Sequence, residues 1–570
     1  MSQPDSYYTN ANPDLLALLP LTARRVLEIG CGDGALARAY RLRNPAAHLT
    51  GVEAAPGPAA VATSAFDRLV QGDAEALSDA EITGGAGRFD LVIMGDVLEH
   101  LRSPEMMLAR MVGLLRPGGV LALSVPNIGH YSALRALVQG DWPRQDAGLF
   151  DRTHLAFFTR DSLLAMLRQA GLHPLRLRTR TLPPTAESVR WIEALTRLAA
   201  DMGQDAADFR SRAEAVQCVA LAQRPALDQP PPLRLHHMFM APTLMEARTT
   251  VPADALLPEP RLRVRTAIRD SSVPPGPPGV AVLQRLRLER EVLLPVVARF
   301  VRAGWLLVVE YDDDPALTGQ VNRRSADPAT RMQNLALAHA VQTSTAHLRD
   351  LFLTVTPEVA LFPNAVAALA PERSPRQGPA RVFHGTLNRP GTDAVAAALV
   401  PAIAAFPDTV FHVAMDRAFF YALPTEHKMF YDRLDYPQYL AQMEQADVVL
   451  SPIQGRPEEI GKSDLKWVEA ASRGAVMVAS PAIYGATIRD GENGLIVASL
   501  PDWPRALLRL LANPDERARI SATARAEIAA SRLICHQTGM RRDWYLSLWD
   551  RRAALTTALL DRNPDLKALI

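Results

Sequence analysis

The sequence is poor in cysteine and in targeting signals. Its three cysteines, Cys31, Cys218 and Cys535, are scattered over 570 residues and form no C-x-x-C pair. This spacing excludes a disulfide framework and a cysteine-ligated zinc site, and it suits a reducing compartment. The first ten residues lack a basic region followed by an apolar core, so we expect no signal peptide. We therefore expect a cytoplasmic protein.

Net charge and long apolar runs are also lacking. A formal net charge of +1, without a basic stripe interleaved with aromatic residues, gives no electrostatic reason to bind nucleic acid. No apolar run reaches the length of a bilayer span. We expect no nucleic-acid partner and no integral membrane segment, while peripheral contact with a membrane stays open. The length exceeds what one core accommodates and predicts three or so compact units.

The stretch from Val26 to Gly34, VLEIGCGDG, organises the first part of the chain. A short apolar strand leads into a glycine-rich turn, and a helix is predicted from Ala35. Glycines let the backbone approach a ligand closely, and a helix N-terminus offers free N–H groups. This is the layout of a cofactor site at the carboxyl end of a parallel strand. The turn lacks the third glycine of G-x-G-x-x-G, which disfavours a dinucleotide-dependent dehydrogenase.

Acidic residues follow three further predicted strands. LTGVE ends at Glu53, LVQGD ends at Asp73, and FDLVIM is followed closely by Asp96. A carboxylate about 20 residues past the glycine turn can accept from both hydroxyls of a ribose, and Asp73 stands where it can meet an adenine amine. Strands that alternate with helices predict a doubly wound parallel sheet.

The order VLEIGCGDG, GVE, GDAE, FDLVIMGDVLEH and LLRPGGVLALSVPN resembles the class I S-adenosylmethionine-dependent methyltransferases, over residues 1–225. The resemblance implies S-adenosylmethionine as the cofactor. In that family the glycine turn packs against the methionine part, the acidic strand end holds the ribose, and the next strand approaches the adenine. The residues implied at the cofactor are Glu28, Gly30, Gly32, Gly34, Glu53, Asp73, Ala74 and Asp96.

Residues 129–171 are predicted to form the acceptor side. Their run DRTHLAFFT resembles a segment that covers the active site in methyltransferases found with polysaccharide-assembly enzymes. Methyl transfer from a sulfonium to a hydroxyl needs alignment and a proton acceptor, and it requires no metal. His154, His130 and Asp151 are the catalytic candidates, with His100 beside them, and His154 is the first choice. Each of them is otherwise a structural or surface residue, and only geometry decides a general base.

A proline-rich linker, residues 226–232, is predicted to separate this domain from a second enzyme. Residues 233–375 and 376–570 each restart with short apolar strands. The aspartates Asp312 to Asp314 end one strand, where they suit either Mg²⁺ beside a sugar diphosphate or capping and loop contacts.

The runs GWLLVVEYDDDP, FPNAV and GKSDLKWVEAAS resemble retaining GT-B glycosyltransferases of the group 1 type, which favours capping for the aspartates and no metal. The resemblance implies a nucleotide-diphosphate sugar as donor. Cations at a helix N-terminus would neutralise the diphosphate, and a glutamate one turn later would hold the ribose. The residues implied at the donor are Gly385, Thr386, Lys462, Ser463, Lys466 and Glu469.

The second enzyme departs from its family at Gly461, where many members carry a glutamate. Glu458 and Glu459 are near but out of register. The fold class expected overall is α/β, a Rossmann-like methyltransferase domain followed by a GT-B glycosyltransferase of two Rossmann-like halves. The expected function is a bifunctional enzyme of glycan assembly, which methylates a sugar hydroxyl and transfers a glycosyl group to a glycan. The alternatives are an active methyltransferase with an inactive glycosyltransferase-like binding module and, disfavoured by the neutral charge, a methyltransferase of nucleic acid.

Overall fold

The computed structural model describes residues 11–226, 230–239, 246–268, 270, 272–285, 288–315, 317, 327–373, 378–387 and 389–570. They form two compact units. The first holds the residues up to Pro232 together with Pro258–Arg261, and the second holds Leu233–Leu257 with Leu262–Ile570. Residues 227–229 of the predicted linker and residues 374–377, beside the predicted boundary at 375, lie outside the described residues.

The first unit is built on a seven-stranded sheet of order β3-β2-β1-β4-β5-β7-β6. Strands β1 to β5 pair in parallel, and β7 is antiparallel to both β5 and β6. The strands are β1 Arg25–Ile29, β2 His48–Glu53, β3 Arg68–Gln71, β4 Phe89–Gly95, β5 Leu115–Pro126, β6 His173–Thr181 and β7 Ala215–Gln223. The helices are α1 Pro13–Leu18, α2 Ala35–Arg41, α3 Pro56–Ala62, α4 Asp79–Thr83, α5 Pro104–Leu114, α6 Tyr131–Val138, α7 Arg160–Gln169, α8 Ala186–Asp201 and α9 Ala206–Glu214.

Two local features of this unit differ from what the residue types alone indicate. The residues Pro117-Gly118-Gly119, which are typical of a turn, lie inside β5, where Gly118 has φ +78° and the pairing with β4 shifts register. After β4 a short 3₁₀ turn at Leu98–His100 comes first, and the next α-helix starts at Pro104. Proline is favoured in the first helical turn because its missing N–H has no partner there.

The second unit contains two six-stranded sheets, of order β13-β12-β11-β10-β8-β9 and β16-β15-β14-β17-β18-β19. Neighbouring strands pair in parallel throughout both sheets. The first sheet comprises β8 Leu233–Phe239, β9 Leu262–Ile268, β10 Val280–Gln284, β11 Leu306–Glu310, β12 Ala340–Thr343 and β13 Val359–Leu361. The second comprises β14 Arg381–Gly385, β15 Val410–Ala414, β16 Lys428–Tyr431, β17 Val448–Ser451, β18 Val476–Ala479 and β19 Leu495–Ile496.

Helices cover both sheets of this unit, and the last long one returns to the first sheet. Tyr545 and Leu548 of this helix, Cys535–Asp550, are buried among β8, β9 and β10 residues, and the Tyr545 hydroxyl donates to Gln342 of β12 at 2.6 Å. The helices are α10 Thr250–Leu256, α11 Arg290–Arg302, α12 Pro328–Gln333, α13 Ala346–Leu353, α14 Thr392–Ala398, α15 Val400–Ala405, α16 Arg417–Ala422, α17 Tyr436–Gln445, α18 Pro457–Ile460, α19 Leu465–Ser472, α20 Pro481–Tyr484, α21 Asp502–Ala512, α22 Pro514–Glu527, α23 Cys535–Asp550, α24 Arg552–Arg562 and α25 Pro564–Lys567.

Parallel sheets covered by helices confirm the predicted fold class, a Rossmann-like domain followed by two Rossmann-like halves. The strands of such sheets are buried on both faces and therefore read as continuous apolar runs, as β10 and β11 do. Over the part of the chain that the structure describes, no helix combines the length and the apolarity needed to cross a membrane.

Candidate active sites

The glycine turn after β1 bends back over the end of the central strand. Gly30, Gly32 and Gly34 all have positive φ, of 66°, 56° and 85°. A Cβ on Gly30 would lie 2.6 Å from Cγ2 of Val97, so the backbone at this point approaches the segment after β4 closely. Helix α2 begins directly after Gly34, as predicted. The backbone of this turn therefore lies at the carboxyl end of β1, with no room for a side chain at Gly30.

Two acidic side chains stand beside this turn. Glu53, at the end of β2, accepts from the Gly32 N–H at 2.8 Å with one carboxylate oxygen and from the Ala55 N–H at 2.8 Å with the other. Each oxygen keeps a second lone pair for a ligand hydroxyl. Glu28 of β1 is buried, and this burial together with the nearby charge of Glu53 raises its pKa to about 8. These groups fit the ribose and methionine ends of the implied cofactor.

The remaining predicted cofactor residues line the same edge of the sheet. Asp73 follows β3 and accepts from the Glu75 N–H at 2.9 Å, and Ala74 beside it is buried. Asp96 follows β4 with φ 53°, an uncommon backbone for a residue other than glycine. Both of its carboxylate oxygens accept from the Gln217 amide, at 2.7 and 2.9 Å, while burial raises its pKa.

The three catalytic candidates make different contacts in the structure. His130 is buried and caps helix α6, where its Nδ1 accepts from the Ser132 N–H at 3.4 Å, and burial lowers its pKa to about 4. Asp151 accepts from both the N–H and the hydroxyl of Thr153, at 2.8 and 2.7 Å. Although burial opposes it, these bonds hold the pKa of Asp151 below its usual range. The contacts of both residues orient neighbouring backbone and side chains.

His154 lies in a cluster with Glu99 and His100, which follow β4. One ligand atom from each of the three side chains lies within 4.8 Å of the others, and the two imidazole centroids are 5.0 Å apart. The carbonyl of Glu99 accepts from the N–H groups of Leu155 and Ala156, at 2.7 and 3.1 Å, which ties the two stretches together. Burial lowers the pKa of both histidines and raises that of Glu99 well above its usual value.

Sequence reasoning missed Glu99 as a site residue. The signal was present, because Glu99 and His100 stand directly after the strand whose end carries Asp96. The negative charges of Asp96 and Asp151 act on Glu99, so the cluster lies next to the predicted cofactor residues. We name Glu99, His100 and His154 the Glu-His-His cluster.

The predicted donor site lies at the carboxyl end of β14 in the second unit. Lys466 Nζ donates to the Gly385 carbonyl at 2.6 Å, and the Thr386 hydroxyl accepts from Arg389 Nε at 3.0 Å. Burial, followed by the charge of Arg389, lowers the pKa of Lys466 to about 7. Glu469, one helical turn later in α19, is buried, which raises its pKa to about 7. Four of the residues predicted at the donor, Gly385, Thr386, Lys466 and Glu469, thus lie near one another, and Arg389 lies beside them.

Lys462 and Ser463 lie in the loop before α19, and both bond to the other half of the unit. Lys462 Nζ contacts Asp313 Oδ1 at 2.9 Å, and Asn364 Nδ2 donates to Ser463 Oγ at 2.5 Å. Asp312 and Asp313 also form ion pairs with Arg285. Two of the three aspartates are thus paired with cations, as the expectation of loop contacts requires.

The departure at Gly461 lies against the other half of the unit. A Cβ at this position would lie 3.2 Å from Leu348 Cδ2, a tight contact, and 3.7 Å from the Asp314 backbone nitrogen, an ordinary one. Two residues earlier, the buried carboxylate of Glu459 forms an ion pair with Arg389, which also contacts Thr386. A carboxylate therefore stands near the predicted donor site, although in a different register.

Comparisons with known proteins agree with this geometry in two separate segments. Residues 5–177 match the family described as "Methyltransferase domain", and residues 396–538 match the family described as "Glycosyl transferase-like". The Ubiquinone biosynthesis O-methyltransferase of Cereibacter sphaeroides is 33% identical over 162 residues, 28% of this chain and 65% of the relative. That of Bordetella avium is 29% identical over 160 residues, 28% of this chain and 66% of the relative. The chain thus spans just under two thirds of these curated relatives.

Solved structures resemble either part of the chain. An S-adenosylmethionine dependent methyltransferase from Mesorhizobium loti is 17% identical with a TM-score of 0.25, and it covers 37% of this chain and 96% of its own. Anabaena Alr3699/HepE, solved in complex with UDP and glucose, is 13% identical with a TM-score of 0.39, and it covers 55% of this chain and 100% of its own.

The fold and the family matches define a chain of two transferase domains. The N-terminal part contains a methyltransferase domain, and the C-terminal part contains a glycosyl transferase-like domain. The two predicted classes of domain are confirmed at this level.

Proposed function

We propose that the N-terminal domain methylates a hydroxyl group. The observation that carries this proposal is the Glu-His-His cluster beside the cofactor residues, with Asp96 adjacent to both. S-adenosylmethionine, when bound, supplies a methyl group on a sulfonium sulfur, which keeps the electron pair of the broken C–S bond. The chain must then hold the acceptor oxygen in line and take up its proton. Of the three candidates, His154 is the one in the cluster.

The roles that we propose at the cofactor follow from the contacts of each residue. Glu53 holds the ribose hydroxyls with its remaining lone pairs, and Gly30, Gly32 and Gly34 admit the methionine part. Asp73 and Ala74 flank the adenine. Asp151 positions Thr153, and His130 positions the start of α6, so both act through the backbone around the acceptor.

We propose a sugar hydroxyl as the methyl acceptor, because the same chain carries a glycosyltransferase-like domain. The names of the curated relatives instead support a phenolic acceptor. Incubation of the full chain with labelled S-adenosylmethionine and either glycans or catechols distinguishes them. Label in the glycan supports the proposal, whereas label in the catechol alone replaces the sugar hydroxyl by a phenol.

We propose that the C-terminal domain transfers a glycosyl group from a nucleotide-diphosphate sugar, with retention of configuration, to a glycan. Lys462, Ser463 and Lys466 would contact the diphosphate, Gly385 and Thr386 would face the sugar, and Glu469 would hold the ribose. Cations near a departing diphosphate stabilise its developing charge. The domains would occupy residues 1–225, 233–375 and 376–570, in a cytoplasmic enzyme that meets membrane-bound glycan intermediates peripherally.

Two observations favour the alternative of an inactive binding module. Lys462 is already neutralised by Asp313, and Gly461 leaves no carboxylate at the usual position. Calorimetric titration with S-adenosylhomocysteine, UDP and GDP tests both domains, with Glu53→Ala and Lys466→Ala as matched variants. Two enzymes require that both ligand classes bind and that each variant loses only its own ligand. Binding of S-adenosylhomocysteine alone identifies the C-terminal domain as a module that does not use nucleotide sugars.

A further inference from the structure

Glu99 is a buried acidic side chain that lacks a partner. It is 1% exposed, and neither carboxylate oxygen has a hydrogen-bond partner among the residues that the structure describes. Leaving a buried polar group unsatisfied costs about 1–3 kcal/mol, and more for a charged one. A side chain of this kind therefore indicates a ligand that has yet to be assigned.

The two histidines beside Glu99 each have one ring nitrogen already engaged. His100 Nδ1 lies 3.3 Å from the Thr153 carbonyl and 3.1 Å from the Thr153 hydroxyl. A carbonyl only accepts, so Nδ1 carries the proton and Nε2 keeps a lone pair. The Thr153 hydroxyl in turn donates to Asp151 at 2.7 Å. At His154, burial lowers the pKa of the imidazole, and a hydrogen bond with the backbone of Leu149 opposes that shift.

This arrangement is the one that metal-binding histidines show. A ligating imidazole commonly donates its other N–H to a carbonyl or, directly or through a relay, to a carboxylate, which sets the tautomer. Here the Thr153 carbonyl and the Thr153–Asp151 relay hold His100. Two metal–ligand bonds of about 2.1 Å span at most about 4.2 Å. Since the ligand atoms lie within 4.8 Å of each other, the widest pair needs to close by at most about 0.6 Å.

We propose that Glu99, His100 and His154 bind one divalent transition-metal ion. Two imidazoles and one carboxylate suit Zn²⁺, Co²⁺ or Mn²⁺ better than Mg²⁺, which prefers oxygen ligands. Three protein ligands leave an open position for an oxygen. An acceptor hydroxyl at that position would have its pKa lowered. This use rests on the proposed methyl transfer, whereas binding of the ion does not. The proposal replaces the expectation that this domain needs no metal.

The test is titration of the full chain, freed of metal with a chelator, with CoCl₂ and with ZnCl₂. We expect one ion per chain and a cobalt absorption band that zinc removes. Glu99→Gln keeps the size of the side chain and should weaken binding by about 100-fold, and His154→Ala should do the same. Loss of the Thr153 hydroxyl in Thr153→Val should weaken it by about tenfold, within the usual range for an outer-shell contact. His48→Gln, at an exposed histidine that begins β2 and lies outside the cluster, should leave it unchanged.

Binding of S-adenosylhomocysteine is measured on every variant and separates two failures. If the parent chain and Glu99→Gln bind cobalt equally, or if the parent chain binds neither ion, the metal site is refuted. Intact S-adenosylhomocysteine binding then leaves the methyltransferase proposal standing. If S-adenosylhomocysteine does not bind the parent chain, the proposed function fails, whatever the metal result. A variant that loses both ligands is unfolded, and the comparison of Thr153→Val with His48→Gln then decides the outcome.

Discussion

Replacement of Gly30 by alanine tests whether the glycine turn is shaped for a cofactor. Gly30 has φ +66°, in the left-handed region, and a Cβ there would lie 2.6 Å from Cγ2 of Val97. Val97 is buried and β-branched, so its side chain has few rotamers to escape into. Gly30→Ala therefore introduces both backbone strain and a steric overlap at the centre of the predicted site.

The two costs can be added from the structure. A left-handed backbone costs an L-residue about 1–2 kcal/mol. An extra carbon in a packed interior costs about 1–3 kcal/mol. We expect Gly30→Ala to lower the free energy of unfolding of the first unit by about 2–5 kcal/mol in total. Because the turn must shift to relieve the overlap, affinity for S-adenosylhomocysteine should fall as well.

Thermal unfolding followed with and without S-adenosylhomocysteine measures the effect. A ligand that binds only the folded state raises the midpoint of its own domain, so the transition that responds to it reports on the first unit. Gly57→Ala is the matched control, since Gly57 lies in α3 and its Cβ would meet nothing within 4 Å. The double variant Gly30→Ala/Val97→Ala should recover the steric part of the loss and keep the backbone part.

The reasoning is refuted if Gly30→Ala is as stable as Gly57→Ala and binds S-adenosylhomocysteine normally. The steric part of the reasoning is refuted if the double variant is no more stable than Gly30→Ala alone. The overlap with Val97 would then make no contribution, and the backbone conformation alone would explain the glycine.

Three further predictions concern the second unit. Lys462→Met should weaken UDP binding by about 10- to 100-fold, which corresponds to the loss of one charge-assisted hydrogen bond. Lys567→Met, at the exposed C-terminal end, should not change UDP binding. Equal affinities of the two variants in calorimetry would contradict the donor role of Lys462. Because burial lowers the pKa of Lys466 to about 7, its positive charge is present below that pH and is lost above it. Affinity for UDP should therefore fall as the pH rises through that value, and Lys466→Arg should make the affinity less dependent on pH. If the affinity of the parent chain is already independent of pH, Lys466 does not contact the diphosphate. Asp464→Asn weakens the bidentate ion pair with Arg532, whose two bonds measure 2.6 and 2.7 Å, and should lower the free energy of unfolding in urea by about 2 kcal/mol. Asp502→Asn, at an exposed ion pair with Arg505, should leave that free energy almost unchanged. Similar losses in the two variants would show that burial of the Asp464–Arg532 pair is unimportant.

Local pattern determined much of the fold in advance. Helix α2 spans Ala35–Arg41 as predicted, and β1 and β4 coincide closely with their apolar runs. Such signals are local, because apolar periodicity, glycine and proline act on the backbone within a few residues. Short or polar edge strands lack that signal, so β6 and β16 were not anticipated.

Only the tertiary structure decided which side chains meet. The Glu-His-His cluster joins the turn after β4 to a segment more than fifty residues later, and Lys462 meets Asp313 across 149 residues. The glycine turn by itself predicted a cofactor site from the sequence, because a close approach of the backbone to a ligand restricts the residue type. A histidine or carboxylate carries no such restriction, since its role depends on the neighbours that the topology supplies. For that reason His130 and His154 look alike in the sequence, and they differ in the folded chain.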